Sequence, residues 1–290
     1  MLLRGRRESA NFRRLRERRL ISYGLAVTLV EVNGLRLEAQ ESGTGHPLVL
    51  VYGSWDDRRV WALIEDDLAR SFRVISYDRR GHGGSEDSQE PGSRRDDEDD
   101  LAGLMEALDL GPAHVVGNSF GASIALGLAA RRPELFDALC AHEPPLMSLA
   151  ADDPIVAEVG ERVTSVVEQI ERGQAEAAAW DFMENIAMPG AWEMMSPEER
   201  AAMVGLADTF AAEQRDPAWA DIDLDSLSGI RFAVLLTQGA ESPPFFSKII
   251  ARLSEVIQGV EVSTLSGAGH VPHMTHPAEY VAALSGFLTR

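Results

Sequence analysis

His114 to Arg132 reads HVVGNSFGASIALGLAARR. It sets Ser119 between Gly117 and Gly121, where an apolar, strand-like run gives way to an Ala- and Leu-rich, helix-like run. G-x-S-x-G at such a junction predicts a nucleophile elbow, a turn so sharp that the serine takes strained φ/ψ. The residues two positions to either side must then be nearly free of side chain, which glycine supplies. The hydroxyl projects above the carboxyl end of a sheet. The amide of the next residue, Phe120, lies at a helix N-terminus and points where an oxyanion would form. The five-residue pattern alone would also suit a surface serine in a glycine-rich turn. The strand before it and the helix after it carry the reading.

Working outward, residues 25–40 alternate apolar and polar around Asn33-Gly34, a hairpin signal. Short apolar runs at 47–52, 73–77, 113–118, 136–142, 231–238 and 260–265 predict buried strands. Helical stretches at 56–70, 122–131 (ended by Pro133) and 277–290 alternate with them. This rhythm implies an α/β fold with a doubly wound, mostly parallel sheet. It is broken at 146–228, which has helix formers and many acids and no convincing strand. We expect a helical cap over one end of the sheet, with 21–145 and 229–290 as the core. Met147, Trp180, Phe182, Met183, Met188, Trp192, Met194, Met195 and Trp219 are either the insertion's own core or the lining of an apolar pocket, and about a third should face ligand. Of these, Trp180, Met183 and Trp192, with Trp55 from the core, are the expected substrate contacts. The run RRDDEDD (94–100) reads as a solvated charge run at a helix start.

The 290 residues, 45% hydrophobic, are enough for a sizeable core. A net charge of −19 weighs against a nucleic-acid partner. The charge is uneven: residues 1–20 hold eight Arg against Glu8 and Glu17, leaving −25 on the remainder. That head is an arm for an acidic partner or, on the blander reading, a disordered or helical extension. It lacks the apolar centre of a secretory signal, and no run reaches the ~18 apolar residues of a membrane span. The single Cys140 cannot form an internal disulfide and suits a reducing cytoplasm. A homodimer stays open.

A serine needs a base. His270 stands in LSGAGHVPHMTHP, just after the last predicted strand, where a loop at the carboxyl edge can reach Ser119. His273 and His276 repeat it at three-residue spacing, which raises a zinc alternative. Pro272 and Pro277 weigh against the continuous helix that would align the three. His82, in DRRGHGGS, reads as a loop-structuring residue.

PLVLVYGSW, YDRRGHGGS, VVGNSFGAS and LSGAGHVPHMTHP, in this order, resemble the α/β-hydrolase fold superfamily. The resemblance covers roughly 25–145 and 229–290 and leaves the insertion as the variable cap. It implies Ser119 as nucleophile, His270 as general base, and no metal or organic cofactor. The residue after the family's His-Gly pair usually gives the second oxyanion amide. Here the pair is Tyr52-Gly53, so the donor would be Ser54, and Tyr for His puts the loop's shape in question.

The acid that orients His270 has two candidate positions. The common family site follows the fifth buried strand as G-x-x-D, but here reads Gly239-Ala240-Glu241-Ser242, with Glu241 one residue early and Pro243-Pro244 stiffening the loop. The other follows the preceding strand, where FDALCAHEPP delivers Glu143, 24 residues after Ser119. Some branches keep their acid there, including one group of haloalkane dehalogenases and the fungal zearalenone lactonases. The lactonases are also similar in a Cys and HE ending this strand, in GAS after the nucleophile, and in a PxxFF-like run. Glu143 is the favoured acid, against a loop-capping role before Pro144. A serine nucleophile disfavours dehalogenase and epoxide-hydrolase chemistry, which needs a carboxylate nucleophile. The resemblance implies a serine esterase or lactonase acting on a bulky hydrophobic substrate. A C–C bond hydrolase of the same fold, a non-turnover small-molecule receptor and a metal hydrolase are the alternatives. The C–C chemistry would want a basic cap, whereas Arg162, Arg172, Arg200 and Arg215 are the cap's cations.

Overall fold

Strand period decides the layers. In the central strands successive side chains face opposite ways, so Val49 and Val51 enter one core cluster while Leu48 and Leu50 enter another. Both faces are apolar, as a parallel sheet covered on each side requires. The computed structural model describes Arg14, residues 27–88 and residues 92–290. The basic head expected over 1–20, Arg14 apart, lies outside the described residues.

Eight strands form one sheet: β1 Thr28–Val32, β2 Leu35–Ser42, β3 His46–Val51, β4 Phe72–Tyr77, β5 Ala113–Asn118, β6 Phe136–His142, β7 Ala233–Gly239 and β8 Glu261–Leu265. Their order is β1-β2-β4-β3-β5-β6-β7-β8. β2 pairs antiparallel with β1 and β4, and every other pairing is parallel. The α/β reading therefore holds, including the hairpin at Asn33-Gly34.

The longer helices are α1 Arg94–Ala107, α2 Phe120–Arg131, α3 Pro154–Glu171, α4 Ala175–Phe182, α5 Pro197–Val204, α6 Ala207–Arg215, α7 Pro244–Val256 and α8 Pro277–Leu288. On one face α1 and α2 pack Leu101, Leu104, Ile124 and Leu128 onto the sheet. On the other α8 brings Tyr280, Leu284 and Phe287. α3 to α6 all fall within 146–228, and among the described residues that span has no strand. No helix among the described residues is long and apolar enough to cross a membrane.

Two local expectations need correction. The helix expected over 56–70 is a 3₁₀ helix, Arg58–Leu63, followed by one α-turn, Glu65–Leu68. A period of three stacks Trp61 and Ile64 on one side, and both are fully buried. The charge run 94–100 does start a helix, capped by Ser93, but it is solvated only in part, at Arg95, Asp96 and Asp99. Arg94, Asp97, Glu98 and Asp100 are buried. Asp97 meets Arg79, Asp100 meets Arg80, and Glu98 meets Arg94 and Arg131. Charges that pair across packed elements can be buried, and a charge run alone does not announce such partners.

Candidate active site

Ser119 links β5 to α2 with φ 54° and ψ −126°. For a residue with a Cβ this is a strained conformation, held here by its surroundings. Its N–H donates to the carbonyl of His142 at the end of β6 (2.8 Å), and its carbonyl accepts from Ala122 N (2.9 Å). The flanking glycines have no substitute. A Cβ on Gly121 would stand 2.2 Å from the Val51 carbonyl, and one on Gly117 2.6 Å from Ala122 Cα. The first clash is helix on strand and the second is strand on helix.

The histidine loop arrives after β8. His270 is 6% exposed, and its Nδ1 lies 2.7 Å from Glu143 Oε2. The other carboxylate oxygen accepts from Gly239 N (2.7 Å). Glu143 is fully buried at the end of β6, at φ 48°. Burial pushes its carboxyl upward, but His142, His270 and the Ser242 hydroxyl outweigh that and hold it below the usual carboxylate range. The structure thus brings Glu143 to His270; Glu241 is exposed, with its N–H donating to the Ala268 carbonyl (2.9 Å). His142 beside the pair is driven down to about 4 by burial and is neutral near pH 7.

Two further residues that the sequence did not single out fix the imidazole. Phe246 stacks on it, with centroids 4.4 Å apart and planes 13° apart, and Asn118 Nδ2 donates to the His270 carbonyl (3.0 Å). Phe246 belongs to the PxxFF-like run; Asn118 carried no signal beyond its place beside the elbow.

The three histidines of the zinc alternative do not share one focus. His273 packs on Trp61 and Tyr280, and His276 pairs with Thr275. His142, Glu143 and His270 offer ligand atoms within 4.8 Å of one another. Nδ1 of His270 is committed to Glu143 and Nδ1 of His142 to Thr237 Oγ1, so this cluster is organised by hydrogen bonds.

Ser54, Ser119 and His270 line one forked cavity. Its larger arm, about 130 Å³, runs beneath the helical segment. Its smaller arm, about 30 Å³, passes Phe120 and Phe246. The loop carrying Ser54 is pressed onto the elbow: a Cβ on Gly53 would stand 2.8 Å from Ser119 Cβ and 3.3 Å from its Oγ. Tyr52, which replaces the expected His, is buried and accepts a hydrogen bond from Arg79 N (2.8 Å). His82 braces the same turn, bonding Arg80 O through Nδ1 (2.9 Å) and Arg79 through Nε2 (3.2 Å).

Of the four expected substrate contacts, Trp55 and Met183 line the larger arm. Trp180 and Trp192 line neither arm and are corrected. Trp180 is 45% exposed on the outer side of α4. Trp192 is buried in the large apolar cluster that the helical segment shares with the sheet, with the Arg200 guanidinium over its ring. Conversely, Phe182, Met188 and Met195 line the larger arm and Met147 and Trp219 the smaller, so six of the nine residues face the cavity where about a third were expected.

A family model described as "Alpha/beta hydrolase family" matches residues 48–284. The 2-hydroxymuconate semialdehyde hydrolase of Pseudomonas sp. (strain CF600) is 42% identical over 105 residues, 35% of this chain and 37% of that protein. The chain thus spans little more than a third of this relative's length. The 2-(acetamidomethylene)succinate hydrolase of Mesorhizobium japonicum is 25% identical over 269 residues, 89% of this chain and 94% of that one. Among solved structures, the enol-lactonase from Burkholderia xenovorans LB400 aligns with a TM-score of 0.73 at 21% identity, over 91% of this chain and 100% of that one, a likeness of fold.

Proposed function

The chain belongs to the alpha/beta hydrolase family, and from that premise we propose that it is a serine hydrolase of small hydrophobic carboxylic esters or lactones. The observation that carries this is the Glu143–His270 hydrogen bond opening onto the same apolar cavity as the strained Ser119. With Nδ1–H held by Glu143, His270 presents Nε2 as an acceptor. It takes the proton from Ser119 as the oxygen attacks the carbonyl. The tetrahedral oxyanion is received by the amides of Ser54 and Phe120, each worth about 3 kcal/mol of barrier. His270 then protonates the leaving alcohol, which stays tethered if the substrate is a lactone. Water, activated by the same imidazole, hydrolyses the acyl-enzyme. No step requires a metal or an organic cofactor.

The cavity argues for size. About 130 Å³ is near the roughly 150 Å³ that accommodates one benzene ring. The substrate that suits it is a short ester or small lactone, not the bulky hydrophobic substrate that the resemblance to the lactonases implies. Fast turnover of p-nitrophenyl acetate or butyrate and of a γ- or δ-lactone, abolished by Ser119→Ala with the fold retained, is the expected result. Undiminished turnover in that variant would refute the assignment.

The C–C bond reading is favoured by the Pseudomonas relative. Charge opposes it. A muconate semialdehyde and a succinate, the substrates in two relatives' names, carry carboxylates. Asp56, Asp57 and Glu199 stand in the larger arm, and among its described lining residues there is no Lys or Arg. Arg162 faces Asp181, Arg172 faces Glu168, Arg215 faces Glu171, and Arg200 lies over Trp192. Product analysis on a ring-fission diketone beside a lactone separates the two.

A further inference from the structure

We propose that Glu213, on helix α6 of the helical segment, is a positioning residue that sets the oxyanion loop, so that the donor beside Ser119 is held in register by an element of the insertion. This rests on the serine-hydrolase reading. Glu213 lies 159 positions from Ser54 in the chain, yet its Oε2 accepts the Ser54 hydroxyl at 2.5 Å. Its Oε1 accepts from Arg79 Nη2, also at 2.5 Å. The same Arg79 nitrogen donates to the Gly53 carbonyl (3.1 Å), and Arg79 Nη1 donates to Asp97 (2.9 Å). The loop 53–54 is therefore gripped at a carbonyl and at a hydroxyl, and both grips end on one carboxylate. Arg79 is 1% exposed and Glu213 5% exposed, so these bonds are largely shielded even though both residues border an open cavity.

The charges fit a positioning role. One buried guanidinium faces two carboxylates, Asp97 and Glu213. If pairing Arg79 were the only need, Asp97 would meet it. Removing Glu213 also removes a negative charge that holds the Asp97 carboxyl above its usual range. Asp97 is then freer to ionise against Arg79, no buried cation is orphaned, and the fold should survive the change. What is lost is the anchor of Ser54. An oxyanion donor acts at 2.7–3.1 Å from where the charge develops, and a displacement of about 1 Å costs on the order of a hundredfold. Through this carboxylate, α6 becomes the element by which a shift of the insertion would reach the catalytic serine.

The test uses the full chain and four variants: Glu213→Ala, Glu213→Gln, Ser54→Ala and the Ser54→Ala/Glu213→Ala pair. Rates are read on p-nitrophenyl butyrate, and inhibition by butylboronic acid, which forms a tetrahedral adduct on the serine, reports the oxyanion site. Glu213→Ala should lower kcat by tenfold to a hundredfold, with KM within threefold and boronate Ki raised in parallel with the fall in kcat. Glu213→Gln, the isosteric variant that keeps one acceptor, should fall between it and wild type, and should carry the test if the alanine variant does not fold. The double variant should be no worse than Glu213→Ala alone, because the Ser54 contact is one of the two by which Glu213 holds the loop. Asp208→Ala, exposed on the same helix, should change nothing. Unchanged kcat and Ki in folded Glu213 variants, or losses that multiply in the double variant, overturn the proposal. Labelling of wild-type Ser119 by a fluorophosphonate is the parallel control. If it fails, the serine-hydrolase reading itself falls; if it succeeds while Glu213 is indifferent, only the present inference falls.

Discussion

Glu143→Gln exchanges one atom in a fully buried side chain, and the surrounding hydrogen bonds determine its effect. The carboxylate accepts at both ends, from Gly239 N through Oε1 and from His270 Nδ1 through Oε2, each at 2.7 Å. A carboxamide has one acceptor and one donor. If its oxygen keeps Gly239, its NH₂ faces Nδ1 and forces the imidazole proton onto Nε2, the nitrogen meant to take the serine's proton. If its oxygen keeps His270, two N–H groups collide at Gly239, which costs on the order of 1–3 kcal/mol in a site without water. The first arrangement prevails, and the base is then in the wrong tautomer with no anion to stabilise its charged form. Loss of orientation and charge together should lower kcat about 10⁴-fold, or about 5 kcal/mol of barrier. KM should move little, because Glu143 does not line the cavity. The assay is steady-state hydrolysis of p-nitrophenyl butyrate by Glu143→Gln, with Glu241→Gln prepared alongside and circular dichroism to establish folding. The exposed Glu241 should tolerate its change within twofold. A folded Glu143→Gln enzyme within tenfold of wild type, or a collapse in Glu241→Gln instead, would show that the acid has been misassigned.

Three further outcomes are expected. Gly121→Ala drives a methyl group to 2.2 Å from the Val51 carbonyl; the elbow must open, and the variant should lose activity more than a hundredfold or lose several degrees in Tm, either of which a melt with a rate assay will record. Asp97 is raised from 3.8 to about 7, chiefly by burial, with Glu213 and Asp100 adding to the rise and Arg79 and Arg80 opposing it; Tyr77 is packed beside it. The folded chain keeps that proton where the unfolded chain has lost it, so this group's contribution is full below pH 3.8 and is lost as pH climbs through about 7. Wild type should therefore lose more Tm between pH 5.5 and 8.5 than Asp97→Asn does; equal slopes count against the reading. Met183→Ala, which enlarges the cavity, should shift chain-length preference toward longer acyl esters, whereas Trp180→Ala, at the surface, should leave kcat/KM within twofold; the reverse pattern would return Trp180 to the site.

The local elements were legible because each had a local cause. The strands announce themselves by apolar runs, and the elbow by two glycines whose missing Cβ atoms are needed where helix and strand touch. Glu143 was legible only against a resemblance, since an acid before Pro144 looks the same as a loop cap. What stayed hidden depends on distance in sequence. Nothing near Arg79 or Glu213 says that they meet across 134 positions, nor that the acids of 94–100 turn inward to Arg79, Arg80 and Arg131. The aromatic and Met content of 146–228 gave the right character for a pocket lining but not the right members. At helical spacing a Trp that faces solvent, as Trp180 does, and one buried away from the cavity, as Trp192 is, present the same signal.

Backbone strain ties the site together in a way that side-chain chemistry alone does not. Among the described residues five non-glycine positions have positive φ. Asn33 and Asp109 lie in turns and are of the types that tolerate it. The other three are Trp55, Ser119 and Glu143. They follow β3, β5 and β6, which are neighbours in the sheet, and all three stand at its carboxyl edge. Each costs on the order of 1–3 kcal/mol, and a fold does not keep three such costs side by side unless each turn does something that a relaxed turn would not. The turn at Trp55 delivers the loop that carries Ser54, the turn at Ser119 delivers the hydroxyl, and the turn at Glu143 delivers the carboxylate beneath His270. Glu143→Gly would relax one of them but also strips Gly239 N and His270 of their buried acceptor, so it should remove activity and lower Tm despite the relief of strain. Strain concentrated where three adjacent parallel strands end is thus the physical reason that the reactive groups meet at that edge of the sheet.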